Sequence, residues 1–471
     1  MNIRAKDCAV RCMMLESFLA LGAAVASIQF QPMFTATERQ AVHDYWAQPG
    51  RYEVVPPKDF AKVGLWQVRL TVAGSTWLWT FNRARGVAMK PTSDITGKEE
   101  RDKAWDTWIG SKFDHDRWQA GQVATAANAL VGSKPSTVDT SVPQSEPPMP
   151  GPMPEDMVTF VQQPYTSMVN GVPTQNPAPG NPPAFAEAVV PMEHLVTFDD
   201  GTELVYQDNV KMRARYPYYR FDQGVMAAGK RVSSLPAKEL DVLLKLAGVT
   251  QSEARVMKAV SILEGGFDSV NTYDTGYVSV GFIQFASLKD GAGSLGKVLL
   301  DFKTQDPAGF QSYFRKFGLD VTPQGSLVAL DWQTGYEAQG PEANRRIIED
   351  KRLIAVFQRA GLKSSSFNAS QIRTAKSQYY PGEDVIDIGF LGVSQTGKVS
   401  QFIKSEAGMA TLMDRKVNTG SFGPLVTILQ KIALEKNLRS FDDFAKYERQ
   451  IVTELKYRKD YLADKTLSQP K

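Results

Sequence analysis

Residues 131–190 hold 13 of the chain's 27 prolines, in runs such as Glu146-Pro-Pro-Met-Pro-Gly-Pro-Met-Pro154 and Asn176-Pro-Ala-Pro-Gly-Asn-Pro-Pro183. Proline locks φ and has no N–H, so such a segment cannot run as a long helix or a central strand. Charge and large apolar side chains are sparse there. The segment therefore reads as an extended linker without a packed core. It divides the 471 residues into two blocks, each long enough to fold around a core of its own.

The block before it, residues 34–125, carries seven of the eight tryptophans: Trp46, Trp66, Trp77, Trp79, Trp105, Trp108 and Trp118. Residues 35–46 read as a short helix ending before Pro49-Gly50. Trp66-Gln-Val-Arg-Leu-Thr and Thr76-Trp-Leu-Trp-Thr-Phe alternate with period two around Ala73-Gly74-Ser75, which predicts a hairpin. Trp77, Trp79 and Phe81 would then share one strand face. Such a strip can stack on sugar rings, but it more simply fills the core of a small α+β domain. At the N-terminus, Arg4, Lys6 and Arg11 precede an apolar stretch ending in Ala24-Val-Ala26. This reads as a secretory signal over 1–26, interrupted by Glu16. A short amphipathic helix is the other reading.

After the linker, 195–206 predicts a hairpin around Asp200-Gly201, with a lead-in to residue 231. From 232 to 471 the apolar spacing becomes helical, over 238–246, 250–264, 294–304, 344–360, 370–380, 405–418 and 424–436. The only cysteines are Cys8 and Cys12, and the histidines are His43, His115 and His194. Past residue 194 the chain thus has no Ser–His or Cys–His nucleophile, no Cys/His zinc site and no disulfide. Chemistry in that block must use carboxylates, Lys, Tyr or an oxygen-bound metal. A net charge of +3 gives no sign of a nucleic-acid binder.

Thr250-Gln-Ser-Glu253 fits a capping box, so a helix starts there. Met257, Val260 and Leu263 mark its apolar face, and Glu264 falls on that face just before Gly265-Gly266 ends the helix. Desolvation and the negative end of the helix dipole both favour a protonated carboxyl at this position, as a general acid requires. Downstream, Asp274-Thr275-Gly276 is a turn between two β-prone runs. A hairpin there would bring Asp274, Tyr277 and Ser279 beside the helix end. Glycosidic cleavage needs an acid on the leaving oxygen and a second carboxylate or stabilising group across the ring. Taken singly, Glu264 reads as a hydrogen-bonded helix-end residue and Asp274 as a turn former; together on this segment they read as a site.

Glu264, a hairpin, and then Gly281-Phe-Ile-Gln284 resemble the lysozyme-like superfamily, in particular lytic transglycosylases and goose-type lysozymes. Asp274-Thr-Gly-Tyr-Val-Ser-Val-Gly281 is similar to a stretch of bacterial chitosanases in the same superfamily. The spacing from Glu264 to Asp274 is shorter than in chitosanases, and Gly265 stands where transglycosylases usually have Ser. The resemblance implies Glu264 as general acid and Asp274 as the base that activates water. Tyr277, Ser279 and Gln284 would line the sugar cleft, together with Tyr273 on the same turn.

The expectation is a multidomain protein: a small α+β N-terminal domain, a Pro-rich linker, and a mainly α, lysozyme-like domain over 232–471 with a short β-hairpin. It would be a secreted or periplasmic enzyme acting on peptidoglycan or a related amino-sugar polymer, without cofactor or metal. It would bind no nucleic acid and have no membrane span apart from the signal. A chitosanase, or a non-catalytic cell-wall-binding protein with the same fold, are the alternatives. Glu406, Asp414, Asn418 and Tyr379-Tyr380 read as ordinary helix residues and stay outside the catalytic set.

Overall fold

The computed structural model describes residues 32–56, 66–86, 100–132, 142–169, 172–210, 220–262, 265–390 and 393–471. The signal reading over 1–26 lies outside the described residues. Helices and small antiparallel sheets alternate along the chain, so the architecture is mixed α and β. Among the described residues, no helix is long and apolar enough to cross a membrane.

The largest apolar cluster draws on both ends of the chain. Helix Ala36–Trp46, started by a Thr35/Glu38 capping box, buries Val42, Tyr45 and Trp46 against it. The Trp46 indole donates to the Phe317 carbonyl over 3.1 Å, and Tyr45 meets Phe317 edge-on at 5.0 Å. Strand Tyr52–Val55 pairs antiparallel with Glu193–Thr197, which pairs in turn with Glu203–Gln207. The hairpin expected at 195–206 is therefore present, with Gly201 at φ +78° in its turn. A polar chain crosses this sheet: the Tyr52 hydroxyl lies 2.7 Å from His194 Nδ1, and His194 Nε2 lies 3.0 Å from Asp208. Burial pushes the Tyr52 phenol up to about 12.

The chain leaves this sheet after Val55 and returns to the neighbouring strand at Glu193. Between them a second core forms from Leu70, Trp77, Leu78, Phe81, Trp105, Ile109, Phe113, Met157, Val161 and Phe185. The expected unit over 34–125 thus contributes its first helix to the large core, Trp77, Trp105 and Trp108 to the second, and Trp66 to a third small cluster with Val68, Ala120, Ala124 and Ala186.

Two sequence expectations fail in this second core. Only the first half of the predicted hairpin is a strand, Gln67–Leu70; its second half is helix Val72–Ala84. Thr71 caps that helix, accepting from the Gly74 amide over 2.8 Å, so Gly74 and Ser75 sit in the first turn. The buried positions Gly74, Ser75, Trp77, Leu78, Phe81 and Asn82 follow helical spacing. Trp77 and Phe81, four apart, stack at 4.8 Å and are buried, so they serve as core.

The expected linker is also structured where it is described. Strand Ala186–Val189 pairs with Gln67–Leu70, helix Glu155–Val161 precedes a hairpin of Tyr165–Val169 with Val172–Asn176, and Met157, Val161 and Phe185 are fully buried. Met157, Val161 and Phe185 of this proline-rich stretch pack with the Trp-rich helices, while Met149, Val158 and Val172 are exposed. Its extended backbone offers carbonyls that no ladder uses, and indoles supply donors. Trp77 Nε1 reaches the Gly180 carbonyl at 2.8 Å and Trp108 Nε1 the Gly151 carbonyl at 2.9 Å.

Beyond residue 232 the helical expectations hold with two departures: the helix read over 250–264 stops at Ser261, with Leu263 and Glu264 outside the described residues, and a second helix is broken. The stretch read as one helix over 344–360 is two, Pro341–Glu349 and Lys351–Lys363. Asp350 between them has extended backbone and caps the second, accepting from the Arg352 amide. Helix Ser365–Tyr379 packs on Ser294–Gln305 and Ala237–Ala247, while Gln251–Ser261 packs on Glu406–Thr419.

Candidate active site

Helix Gln251–Ser261 begins at the expected Thr250/Glu253 capping box and buries Met257 and Val260. Arg255 on this helix pairs with Glu406 through Nε at 3.0 Å, which anchors the helix to Glu406–Thr419. Glu406 thus holds the scaffold, in line with its exclusion from the catalytic set. Leu263 and Glu264 lie outside the described residues. Their neighbours define the surroundings. Ile262 is exposed, and Gly265 and Gly266 are buried.

The glycine pair, expected to end the helix, follows a helix that already stops at Ser261. The Gly265 amide donates to the Phe282 carbonyl over 3.4 Å, and the Gly266 amide to Ala228 over 3.3 Å. A Cβ on Gly265 would collide with the Ser269 side chain, and one on Gly266 with the Lys230 carbonyl. At Gly265 it is the Ser269 side chain, and at Gly266 the Lys230 backbone, that leaves no room for a Cβ. The chain then forms a four-stranded antiparallel sheet in the order Phe285–Ala286, Ser279–Val280, Val270–Asn271, Met226–Ala227. The predicted hairpin around Asp274-Thr275-Gly276 is its centre, with Asn271 opposite Ser279.

Asp274 is held by its own turn. One carboxylate oxygen accepts from the Asn271 side-chain amide and the other from the Gly276 amide, each at 2.8 Å. Burial raises its pKa above the usual carboxylate value. Asp274 is thus partly buried and oriented by its own turn. A Cβ at Gly276 would sit 3.1 Å from Asp274 Oδ1 and still closer to Ser279 Oγ, so both oxygens face the same small gap. Tyr277 closes the turn, its amide donating to the Asp274 carbonyl at 3.2 Å with φ at +64°, a costly conformation for a bulky side chain. Its ring packs on Phe221 at 5.1 Å.

The remaining expected residues divide. Ser279 is buried in the sheet at 5% exposure. Gln284, at φ +55°, turns its side chain inward, donating to Ser269 Oγ at 2.7 Å and to the Gly281 carbonyl at 3.0 Å. Its amide nitrogen therefore braces the site. Tyr273 accepts at its carbonyl from the Arg220 amide at 2.7 Å and packs against the Trp-rich core.

Sequence reasoning missed four residues. Ser269 joins Gly281 and Gln284. Gln371, fully buried, donates to the Phe267 carbonyl at 2.9 Å and accepts from the Phe282 amide at 3.3 Å, fixing both sides of the helix end. Asp268 accepts from the Lys230 amide at 2.8 Å, and burial raises its pKa. Arg220 reaches Thr76 Oγ1 at 3.1 Å and lies over the Trp79 ring at 4.9 Å, so the helix Val72–Ala84 adjoins the Tyr273–Tyr277 turn. A buried Gln in the middle of a distant helix has no local signal. The Asn271-x-x-Asp274 turn does have one.

Among the described residues, no group of three or more His, Cys, Asp or Glu side chains is arranged to hold a metal ion. Comparison with protein-family models, with curated proteins and with solved structures finds no match.

Proposed function

We propose that the protein cleaves glycosidic bonds in an amino-sugar polymer of the peptidoglycan class, with Glu264 as general acid and Asp274 as the carboxylate that activates water. The observation carrying this reading is the bond from the Gly265 amide to the Phe282 carbonyl. It ties the residue after Glu264 to the Gly281–Gln284 segment, and the Asp274 turn belongs to the same sheet. Asp274 supports the second role on grounds different from its sequence context. Asn271 and Gly276 fix its orientation, and a raised pKa makes its carboxylate a stronger base near neutral pH. The same reading assigns residues 1–26 to export and the substrate to the cell envelope. Incubating the full chain and its Glu264→Gln variant with purified peptidoglycan and with chitosan, followed by mass spectrometry of the soluble products, tests it.

A second reading is favoured by the same two hydrogen bonds. Asp274 engages both oxygens within its own turn, as a structural residue does. Catalysis would then rest on Glu264 alone, with a substrate hydroxyl attacking in place of water, and the products would carry anhydro ends.

A further inference from the structure

Two guanidinium groups converge on one indole beside the candidate site. Arg83, in the last turn of helix Val72–Ala84, lies 4.7 Å from the Trp79 ring centroid, and Arg220 lies 4.9 Å from it. Neither forms an ion pair with a carboxylate of the described residues, although most arginines packed on rings here do, such as Arg85 with Asp106 and Arg315 with Glu38. Arg220 is half-buried; burial lowers its pKa, while the Tyr277 hydroxyl side opposes that shift. Among the described residues, its guanidinium donates to the neutral Thr76 hydroxyl. The ten residues 211–220 contain four basic side chains and no acidic one, and the acid that follows them, Asp222, accepts from the Gln223 amide at 2.9 Å and forms no ion pair with Arg220 among the described residues. A partly desolvated guanidinium without a counter-ion is unfavourable, and stacking on an indole offsets only part of that cost. The unused donors are suited to a carboxylate, which arginine binds through two parallel hydrogen bonds.

We infer that Arg83 and Arg220, presented on Trp79 next to the Tyr273–Tyr277 turn, form a subsite for a carboxylate-bearing glycan. The inference rests on the glycan-cleaving reading and narrows its substrate class. A polymer with carboxylates on its sugars or attached peptides is attracted, and a polyamine such as chitosan is repelled. Helix Val72–Ala84 of the Trp-rich core thereby contributes to selectivity at a turn built by the other core.

The test measures equilibrium binding, separately from turnover, on the Glu264→Gln full-length protein. The probes are soluble muramyl-peptide glycan oligomers, chitin oligomers of the same length, which are neutral, and chitosan oligomers. The expected result is tightest binding of the muramyl-peptide probe, weakened by salt. In Arg83→Gln/Arg220→Gln that preference should fall about tenfold, the worth of one charge-assisted contact, with chitin binding changed by less than twofold. Arg83→Gln alone, at the more peripheral position, should give part of the loss if the double variant does not fold. Equal affinity for the anionic and neutral probes, tighter binding of chitosan, binding of none, or an undiminished preference in a folded double variant overturns the subsite. Turnover by Glu264→Gln would instead overturn the catalytic reading and leave a measured anion preference standing.

Discussion

Gln284 donates to Ser269 Oγ over 2.7 Å, and Ser269 Oγ in turn donates to the Gly281 carbonyl at 2.8 Å. This short relay holds the turn after strand Ser279–Val280 against the segment that follows Gly265-Gly266. Ser269 is 2% exposed, so its removal leaves buried groups without a partner. Ser269→Ala should cost about 1–3 kcal/mol of stability, the usual penalty for an unsatisfied buried polar group. Chemical denaturation checks this; a loss well below 0.5 kcal/mol would mean that the relay does not brace the turn.

Asp274→Asn separates turn-former from base. Asparagine keeps an oxygen for the Gly276 amide but puts an NH2 where the second oxygen accepts from Asn271, so the turn keeps one of its two bonds. Because the folded pKa of Asp274 is raised, its ionised form is disfavoured by folding. The stability associated with this group is full below the unfolded pKa and is lost as pH rises through the folded value. The variant removes that loss and gives up the Asn271 bond, two opposed effects, so at pH 7 its stability should stay within about 1 kcal/mol of the wild type. Its hydrolytic rate should nonetheless fall about 10²–10⁴-fold. An active variant that releases anhydro-ended products selects the single-acid reading.

Lys351 is fully buried, and desolvation lowers its pKa to about 8. Its ammonium donates to the carbonyls of Ile348 and Glu349 at 2.6 and 3.1 Å, closing the end of the preceding helix. Between the folded pKa of about 8 and the ordinary lysine value of 10.5, the unfolded chain holds the proton and the folded one does not. Stability should therefore rise with pH across that window, by up to ~1.4 kcal/mol per unit. Lys351→Met should abolish this contribution, which paired urea titrations at pH 8 and pH 10 would reveal.

Phe185 sits near the C-terminal end of the proline-rich stretch with no exposed surface. Its ring contacts Trp77 at 5.7 Å and Phe113 at 5.9 Å, and its amide donates to Asp116 at 2.7 Å. Phe185→Ala should lower stability by about 3–5 kcal/mol, the range for large core truncations. Limited proteolysis of the wild type should spare residues 155–161 and 183–189, and the variant should be cut there. Rapid wild-type cleavage at those residues would restore the linker description.

What the sequence revealed was local. Thr250 with Glu253, and Asp200-Gly201 between two β-prone runs, are signals complete within a few residues, and both elements are present. The Asp274 turn was legible for the same reason. The failures are non-local. Gln67–Leu70 finds its partner at Ala186–Val189, more than a hundred residues later, and no spacing rule connects them. Gly74-Ser75 carries a turn signal, but Thr71 caps a helix there and Phe185 covers its buried face. At the site, the types and order of Glu264, Asp274 and Gln284 were readable. The inward direction of Gln284 and the burial of Asp274 depend on Ser269, Asn271 and the backbone of the sheet.

The most direct test is the rate at which the full chain releases soluble fragments from purified peptidoglycan, compared with Glu264→Gln at the same fold stability. The account predicts release by the wild type and a loss of about 10²–10⁴-fold in the variant, the worth of a general acid. A variant retaining more than half of the wild-type rate, or a wild type that cleaves neither peptidoglycan nor chitosan, would contradict it.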